Sequence, residues 1–262
     1  MNYYVHALDP MAFRIGNLVF PWYWLVYFGG YFWLLFGMEF LFKRGKLPFK
    51  SAIDLYNFLL IGFLLLIVGG RLGYVFIYNF SYYLKDPVRV FYLWEGGMSF
   101  HGALIATGLW TLYFSYKKKI SFFSISDALS LFIPPVLACG RVANFINGEL
   151  AGRVTDVSWA VIFPRLYDNQ PRHPSQLYEA ILEGIFLWIA IALVFKFANK
   201  KARLTGVFVF GYGLSRFIVE FFREPDRQLG FIIGELTMGQ LLCIVMMLAG
   251  ASIFYLSQKE SE

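Results

Sequence analysis

The dominant constraint in this sequence is its recurring apolar runs of about twenty residues, the length an α-helix needs to cross the ~30 Å hydrocarbon core of a bilayer. Hydropathy, read with Gly, Pro and charge clusters as breaks, places spanning helices near 20–42, 52–78, 97–116, 126–147, 176–196, 204–222 and 236–257. The expected fold is an all-α integral membrane protein of about seven transmembrane helices, one polytopic domain over 1–262. The third and sixth runs are short for a span, so each is expected to be tilted or partly re-entrant. The first run, from about Phe20 to Phe42, is followed by no small-residue cleavage site and reads as an anchor rather than a signal peptide.

Charge then orients the chain. Only 15% of the residues are charged, against roughly 25% in a soluble domain, and 58% are hydrophobic. The net charge of +6 would suggest nucleic-acid binding in a soluble protein, but here the cations sit in short connections, as topology determinants do. Lys43, Arg44, Lys46 and Lys50, then Lys117 to Lys119, then Lys196, Lys200, Lys201 and Arg203 follow the first, third and fifth runs, and Lys259 lies in the tail. These segments are expected on the cytoplasmic side, with the N-terminus outside and the C-terminus inside. The outer segments near 79–97 and 148–175, rich in Trp, Tyr, Gly and Pro, suit the headgroup region. Cys139 and Cys243 lie in apolar runs and read as buried hydrophobes, with no disulfide framework, metal-ligand set or cofactor motif.

Ionisable residues at membrane depth cost about 2.5–3.5 kcal/mol each on insertion scales and mark functional sites by default. Arg71, Arg141 and Arg216 are such residues. Arg141, Asn144 and Gly148 recur at i, i+3 and i+7, so a cation, an amide and a glycine share one helical face that can grip an oxyanion, and Asn147 and Glu149 extend it. Gly140 and Gly152 allow close approach of backbone or ligand. Tyr212, Arg216 and Glu220 form a second stripe at i, i+4 and i+8, followed by Arg223. Within it, Glu220 is expected to hold Arg216 oriented. His101, with an unperturbed pKa near 6.5, can serve as a base near neutral pH. In HPSQLYE, from His173, Ser175 or Gln176 is expected to cap the helix entrance, and Glu179 and Glu183 need a donor such as Arg71.

These segments resemble one known family. GGRLGYV from Gly69, WEGGMSFHG from Trp94, GRVANFINGELAGR from Gly140, RHPSQLYEA from Arg172 and YGLSRFIVEFFREPD from Tyr212 resemble the bacterial prolipoprotein diacylglyceryl transferases, and HALDP near the N-terminus fits. The family's usual Arg-Trp-Tyr-Gly-Leu is here Pro21, Trp22, Tyr23, Trp24, Leu25, and its His-Gly-Gly is His101, Gly102, Ala103.

The resemblance implies an enzyme of the bacterial inner membrane, with its active site toward the periplasm and no cofactor. It would transfer the diacylglyceryl group of phosphatidylglycerol to the lipobox cysteine of a preprolipoprotein, forming a thioether and releasing glycerol phosphate. Arg141, Arg216 and His101 match catalytic positions. Arg141, Asn144, Glu149, Gly152, Tyr212, Arg216 and Tyr23 match substrate-binding ones, and Arg71, Glu220, Arg223 and Asn147 are candidate supporting residues. The residues by themselves also admit an anion transporter or a non-catalytic lipid-binding subunit, although no inverted repeat is present and the polar residues gather toward helix ends.

Overall fold

The computed structural model describes residues 2–16, 18–197, 202–224, 231–234 and 236–259. Lys200, Lys201, Pro225 and Asp226 lie outside the described residues. Among the described residues seven long helices dominate: α1 (Trp22–Lys43), α2 (Ala52–Ile77), α3 (Phe100–Lys118), α4 (Phe122–Asn147), α5, α6 (Arg203–Val219) and α7 (Met238–Lys259). Helix α5 runs continuously through Ser175–Glu179, a π-helical stretch Ala180–Phe186, and Leu187–Phe197. Five are long and apolar enough to cross a membrane, the architecture of an integral membrane protein. Within the described residues α3 and α6 do not reach that length and apolarity, and these are the runs already short in the sequence.

The chain divides into two compact units. One comprises residues 34–126 and the other residues 1–33 with 127–262. In the first, α2 starts at a Ser51 cap whose hydroxyl accepts from the Asp54 amide at 3.1 Å, and α3 starts at Ser99, whose hydroxyl accepts from the Gly102 amide at 3.3 Å. Helix α3 ends with Lys117 and Lys118 in its last turn, where cations offset the unsatisfied carbonyls. Between α2 and α3 the chain forms a short helix, Phe80–Lys85, and two 3-10 turns, Pro87–Phe91 and Leu93–Glu95.

The second unit holds α4 to α7 and small sheets that the all-α expectation missed. Strand β1 (Tyr4–Val5) pairs parallel with β4 (Val161–Ile162), which pairs antiparallel with β5 (Pro171–Arg172). Strands β2 (Met11–Ile15) and β3 (Leu18–Pro21) form a hairpin, as do β6 (Phe231–Ile233) and β7 (Leu236–Thr237). Strands of two to five residues carry no alternation long enough to read. The sheet around β4 covers a small core of Ala151, Val161 and Phe163, with Phe145 and Tyr167 against it. His6 of HALDP enters this core, 2% exposed, with its ring centroid 5.4 Å from Phe145 and 5.2 Å from Phe163.

Two close approaches set the geometry of this unit. Gly184 on α5 packs against Ala138 on α4 so tightly that an added Cβ would lie 2.9 Å from the Ala138 Cα. That contact brings the neighbouring Glu183 level with Arg141, one turn beyond Ala138. Gly152 is threaded between two other segments: its amide donates to His173 O at 2.9 Å, and it bridges Arg223 as a lone antiparallel pair. An added Cβ there would meet the Phe222 carbonyl, and the His173 carbonyl at 2.9 Å. Gly152, a candidate substrate contact in the sequence, therefore admits backbone on both sides and fixes the end of α6.

Candidate active site

Helix α4 carries Pro134 and Pro135, which remove two donors from its ladder, and it runs on to Asn147. It ends in a Schellman motif: Gly148, at φ +73°, donates to Phe145 O at 2.9 Å, and Glu149 N donates to Asn144 O at 3.1 Å. This turn returns the Glu149 side chain to the face it has just left. There Glu149 Oε1 accepts from Asn144 Nδ2 at 3.0 Å and from Asn147 Nδ2 at 3.2 Å. Asn144 Nδ2 also donates to the Tyr23 hydroxyl, so Tyr23 from the start of α1 joins the group. Gln176 Nε2 donates to Glu149 O at 2.5 Å and Ser175 Oγ to Leu150 O at 3.0 Å. These two side chains thus hold the turn after α4 instead of capping α5, whose first residue follows Pro174 with no side-chain cap.

One turn before Asn144, Arg141 enters a cluster of three guanidinium groups and three carboxylates. Glu179 is its centre: Oε1 accepts from Arg216 Nη1 at 2.6 Å and Arg223 Nη1 at 2.5 Å, and Oε2 lies 3.0 Å from Arg141 Nε. Glu183 Oε2 accepts from Arg141 Nη2 at 3.2 Å. Glu220 Oε2 lies 3.2 Å from Arg216 Nη2 and 3.5 Å from Arg223 Nε, while its Oε1 accepts from Thr237 Oγ1 at 3.1 Å. Tyr212, one turn before Arg216, is within electrostatic reach of Arg141, Arg216, Glu179 and Glu183, and Tyr23 is within reach of Arg141. Arg153 Nε donates to Arg223 O at 2.7 Å and secures the exit of α6.

The side chains of Glu179 and Glu183 are 0% exposed, those of Arg141 and Arg216 20%. Burying ion pairs is a poor route to stability, because desolvation can exceed the Coulombic gain. The cluster is formally neutral and lies among apolar helices, and an edge of both Arg141 and Arg216 stays accessible. Beside it, Val157, Trp159, Ile181, Leu182, Val219 and Phe222 line an apolar cavity of about 310 Å³. Residues lining the cavity and residues in the cluster are consecutive in the chain, Leu182 with Glu183 on α5 and Phe222 with Arg223 just beyond the end of α6.

A profile of the family described as prolipoprotein diacylglyceryl transferase matches residues 10–256. The chain belongs to this family. It is 47% identical over 254 residues to the phosphatidylglycerol–prolipoprotein diacylglyceryl transferase of Bordetella parapertussis, covering 94% of each chain. It is 43% identical over 264 residues to the enzyme of the same name from Aeromonas salmonicida, covering 100% of this chain and 94% of that one. The Geobacter sulfurreducens protein of that name is 46% identical over 252 residues, with 94% of each covered.

Several sequence-level assignments change for this transferase. Arg71 is not the donor for Glu179 and Glu183; Arg141, Arg216 and Arg223 are. Arg71, 3% exposed, instead donates to backbone carbonyls: Nε to Val90 O at 2.9 Å, Nη2 to Arg89 O at 2.6 Å and Tyr92 O at 3.0 Å, and Nη1 to Gly97 O at 3.3 Å and to Gly96 O. It is the brace of the 79–97 segment. His101 lies in the unit of residues 34–126, exposed in the first turn of α3, with its ring 5.8 Å from Phe100. Ala103 makes an ordinary contact at Gly70, 3.7 Å from the Cβ a side chain there would carry. Cys243 is buried as expected, whereas Cys139 is exposed. The weight that Glu179 carries was signalled only by two carboxylates four residues apart in an apolar run.

Proposed function

We propose that the Arg141 and Arg216 edges of this cluster bind the phosphate of phosphatidylglycerol while its diacylglyceryl group passes to a prolipoprotein cysteine. The transferase activity itself follows from membership of the family. In the reaction, sulfur forms a bond to the glyceryl carbon, the carbon–oxygen bond to phosphate breaks, and glycerol phosphate leaves with one more negative charge than the diester carried. Guanidinium groups held in place before the reaction, in a medium poorer than water at screening, stabilise that charge without reorganising.

Each residue has a part in this reading. Arg141 and Arg216 take the phosphate; Glu179 and Glu220 hold them in orientation, with Arg223 balancing the carboxylates. Asn144 and Tyr212 donate to the phosphate or the glyceryl hydroxyl, and Tyr23, Asn147 and Glu149 keep the Asn144 amide in place. For the thiol proton, His101 is the candidate acceptor that the family resemblance supplies. The apolar cavity beside the cluster accepts part of an acyl chain. The chain crosses the bacterial inner membrane seven times, N-terminus out and C-terminus in, with the cluster toward the periplasmic side, where the lipobox cysteine of a preprolipoprotein arrives.

The observation that carries the reading is the single network joining Arg141, Arg216 and Arg223 through Glu179 at distances of 2.5–3.0 Å. The test is mass spectrometry of a lipobox-cysteine peptide incubated with purified enzyme and phosphatidylglycerol. A diacylglyceryl increment is expected on the cysteine peptide and not on its serine analogue, and Arg141→Ala or Arg216→Ala should abolish it. Full transfer by both folded variants would refute the phosphate assignment.

A further inference from the structure

The two carboxylates of α5 hold the arginines with unequal grip. Glu179 contacts all three within 3.0 Å. Glu183 reaches only the pair assigned to the phosphate, and loosely: 3.2 Å to Arg141 Nη2 and 3.8 Å to Arg216 Nη1, the second too long for a hydrogen bond. Among the described residues its Oε1 has no hydrogen-bond partner, although the residue is 0% exposed. A buried carboxylate oxygen left without a donor is costly. Glu179 Oε2 and Glu220 Oε2 also make no hydrogen bond, but they lie 3.0 and 3.2 Å from a guanidinium nitrogen, whereas Glu183 Oε1 lies 3.8 Å from Arg216 Nη1. The π-helical stretch that presents Glu183 is itself a rare conformation, found mostly at functional sites.

We propose that Glu183 is a resident anion, occupying between Arg141 and Arg216 the position taken by the substrate phosphate, and that lipid binding displaces it. The inference rests on the reading of Arg141 and Arg216 given above. A tetrahedral phosphate offers oxygens to both guanidinium forks at once, which a carboxylate at 3.2 and 3.8 Å does not. The groups facing Glu183 are Glu179 on its own helix, Arg141 on α4, Arg216 and Tyr212 on α6, and Cys243 on α7.

Displacement also serves product release. Glycerol phosphate, with its extra charge, would bind two open arginines more tightly than the diester does. A carboxylate tethered at the site competes at high effective concentration and returns as the product leaves. Glu183 would thereby keep the enzyme from being trapped by its own product.

The test uses purified, full-length enzyme and sn-glycerol 1-phosphate as probe, with binding read from protection against thermal unfolding in detergent. Glu183→Gln keeps the volume and removes the charge. It should tighten binding about tenfold or more, lower the KM for phosphatidylglycerol and strengthen product inhibition. Glu183→Asp, which keeps the charge but withdraws it by one methylene, should move the same quantities in the same direction by less, and it serves if the Gln variant does not fold. Unchanged or weaker binding in a folded variant overturns the proposal. Arg141→Gln separates the two levels: if it is protected like wild type, the phosphate assignment itself fails. If it loses protection and Glu183→Gln gains none, only the displaced-anion inference fails.

Discussion

Glu179→Gln is the most informative single change, because one carboxylate touches three arginines. Gln matches its size and keeps one carbonyl oxygen, so packing is preserved and the loss is electrostatic. Three guanidinium groups would then face two carboxylates, Glu183 and Glu220. Breaking a buried ion pair costs about 3–5 kcal/mol; the retained acceptor places this case near the lower end, about 3 kcal/mol. At about 2–4 °C per kcal/mol for a chain of this size, the unfolding midpoint should fall by about 6–12 °C. The assay is thermal unfolding of purified protein in detergent, with diacylglyceryl transfer measured on the same sample well below the new midpoint. Transfer should fall at least about a hundredfold, since a misplacement of about 1 Å can cost that much. Glu39→Gln, which breaks the 2.7 Å pair with the exposed Lys43 at the end of α1, is the control and should shift the midpoint far less. A Glu179→Gln protein with wild-type midpoint and wild-type transfer would refute the claim that Glu179 organises the site.

Other predictions follow from the same contacts. Gly184→Ala places a methyl against Ala138 and should cost about 1–3 kcal/mol by overpacking, visible as a lower unfolding midpoint with reduced transfer, and Ala138→Gly should restore part of both. Arg71→Lys replaces five donors by three, losing at least two charge-assisted bonds of about 1.5–3 kcal/mol each, so limited proteolysis should cut the 79–97 segment faster. Burial lowers the pKa of His6 and of His173 below the ordinary 6.5, with the Arg165 charge adding to the effect at His6. The unfolded chain therefore binds protons first as pH falls, so the stability present above about 6.5 is lost as pH drops through the folded-state values. Unfolding midpoints measured from pH 7.5 to 5 should decline, and the decline should be shallower in His6→Gln and His173→Gln.

The sequence made the local part of this site legible. Arg216 and Glu220 lie four apart on one helix and pair at 3.2 Å, and Arg141 and Asn144 share a face as their spacing requires. What it could not reveal was non-local. The link from Asn144 to Tyr23 spans 121 positions, and Glu179 meets Arg216 across 37. Periodicity carries no information about either. Arg71 was matched to a carboxylate because side chains are visible in a sequence, whereas its true acceptors are carbonyls present at every residue. The π-helical turn escaped for a similar reason: AILEGIF reads as an ordinary helix, and only packing of Gly184 on Ala138 marks the place as unusual. Helix positions fared better, since runs of apolar residues bounded by charge and glycine leave little freedom in a bilayer.

The central claim is that the lipid phosphate sits on Arg141 and Arg216, and the most direct measurement is an experimental structure of the enzyme in a lipid nanodisc with bound phosphatidylglycerol. The account predicts phosphate oxygens within hydrogen-bond distance, ~3 Å, of both guanidinium groups, with Glu179 still holding them and the Glu183 carboxylate moved aside. A phosphate bound elsewhere, with every arginine–glutamate contact of the cluster unchanged, would contradict it.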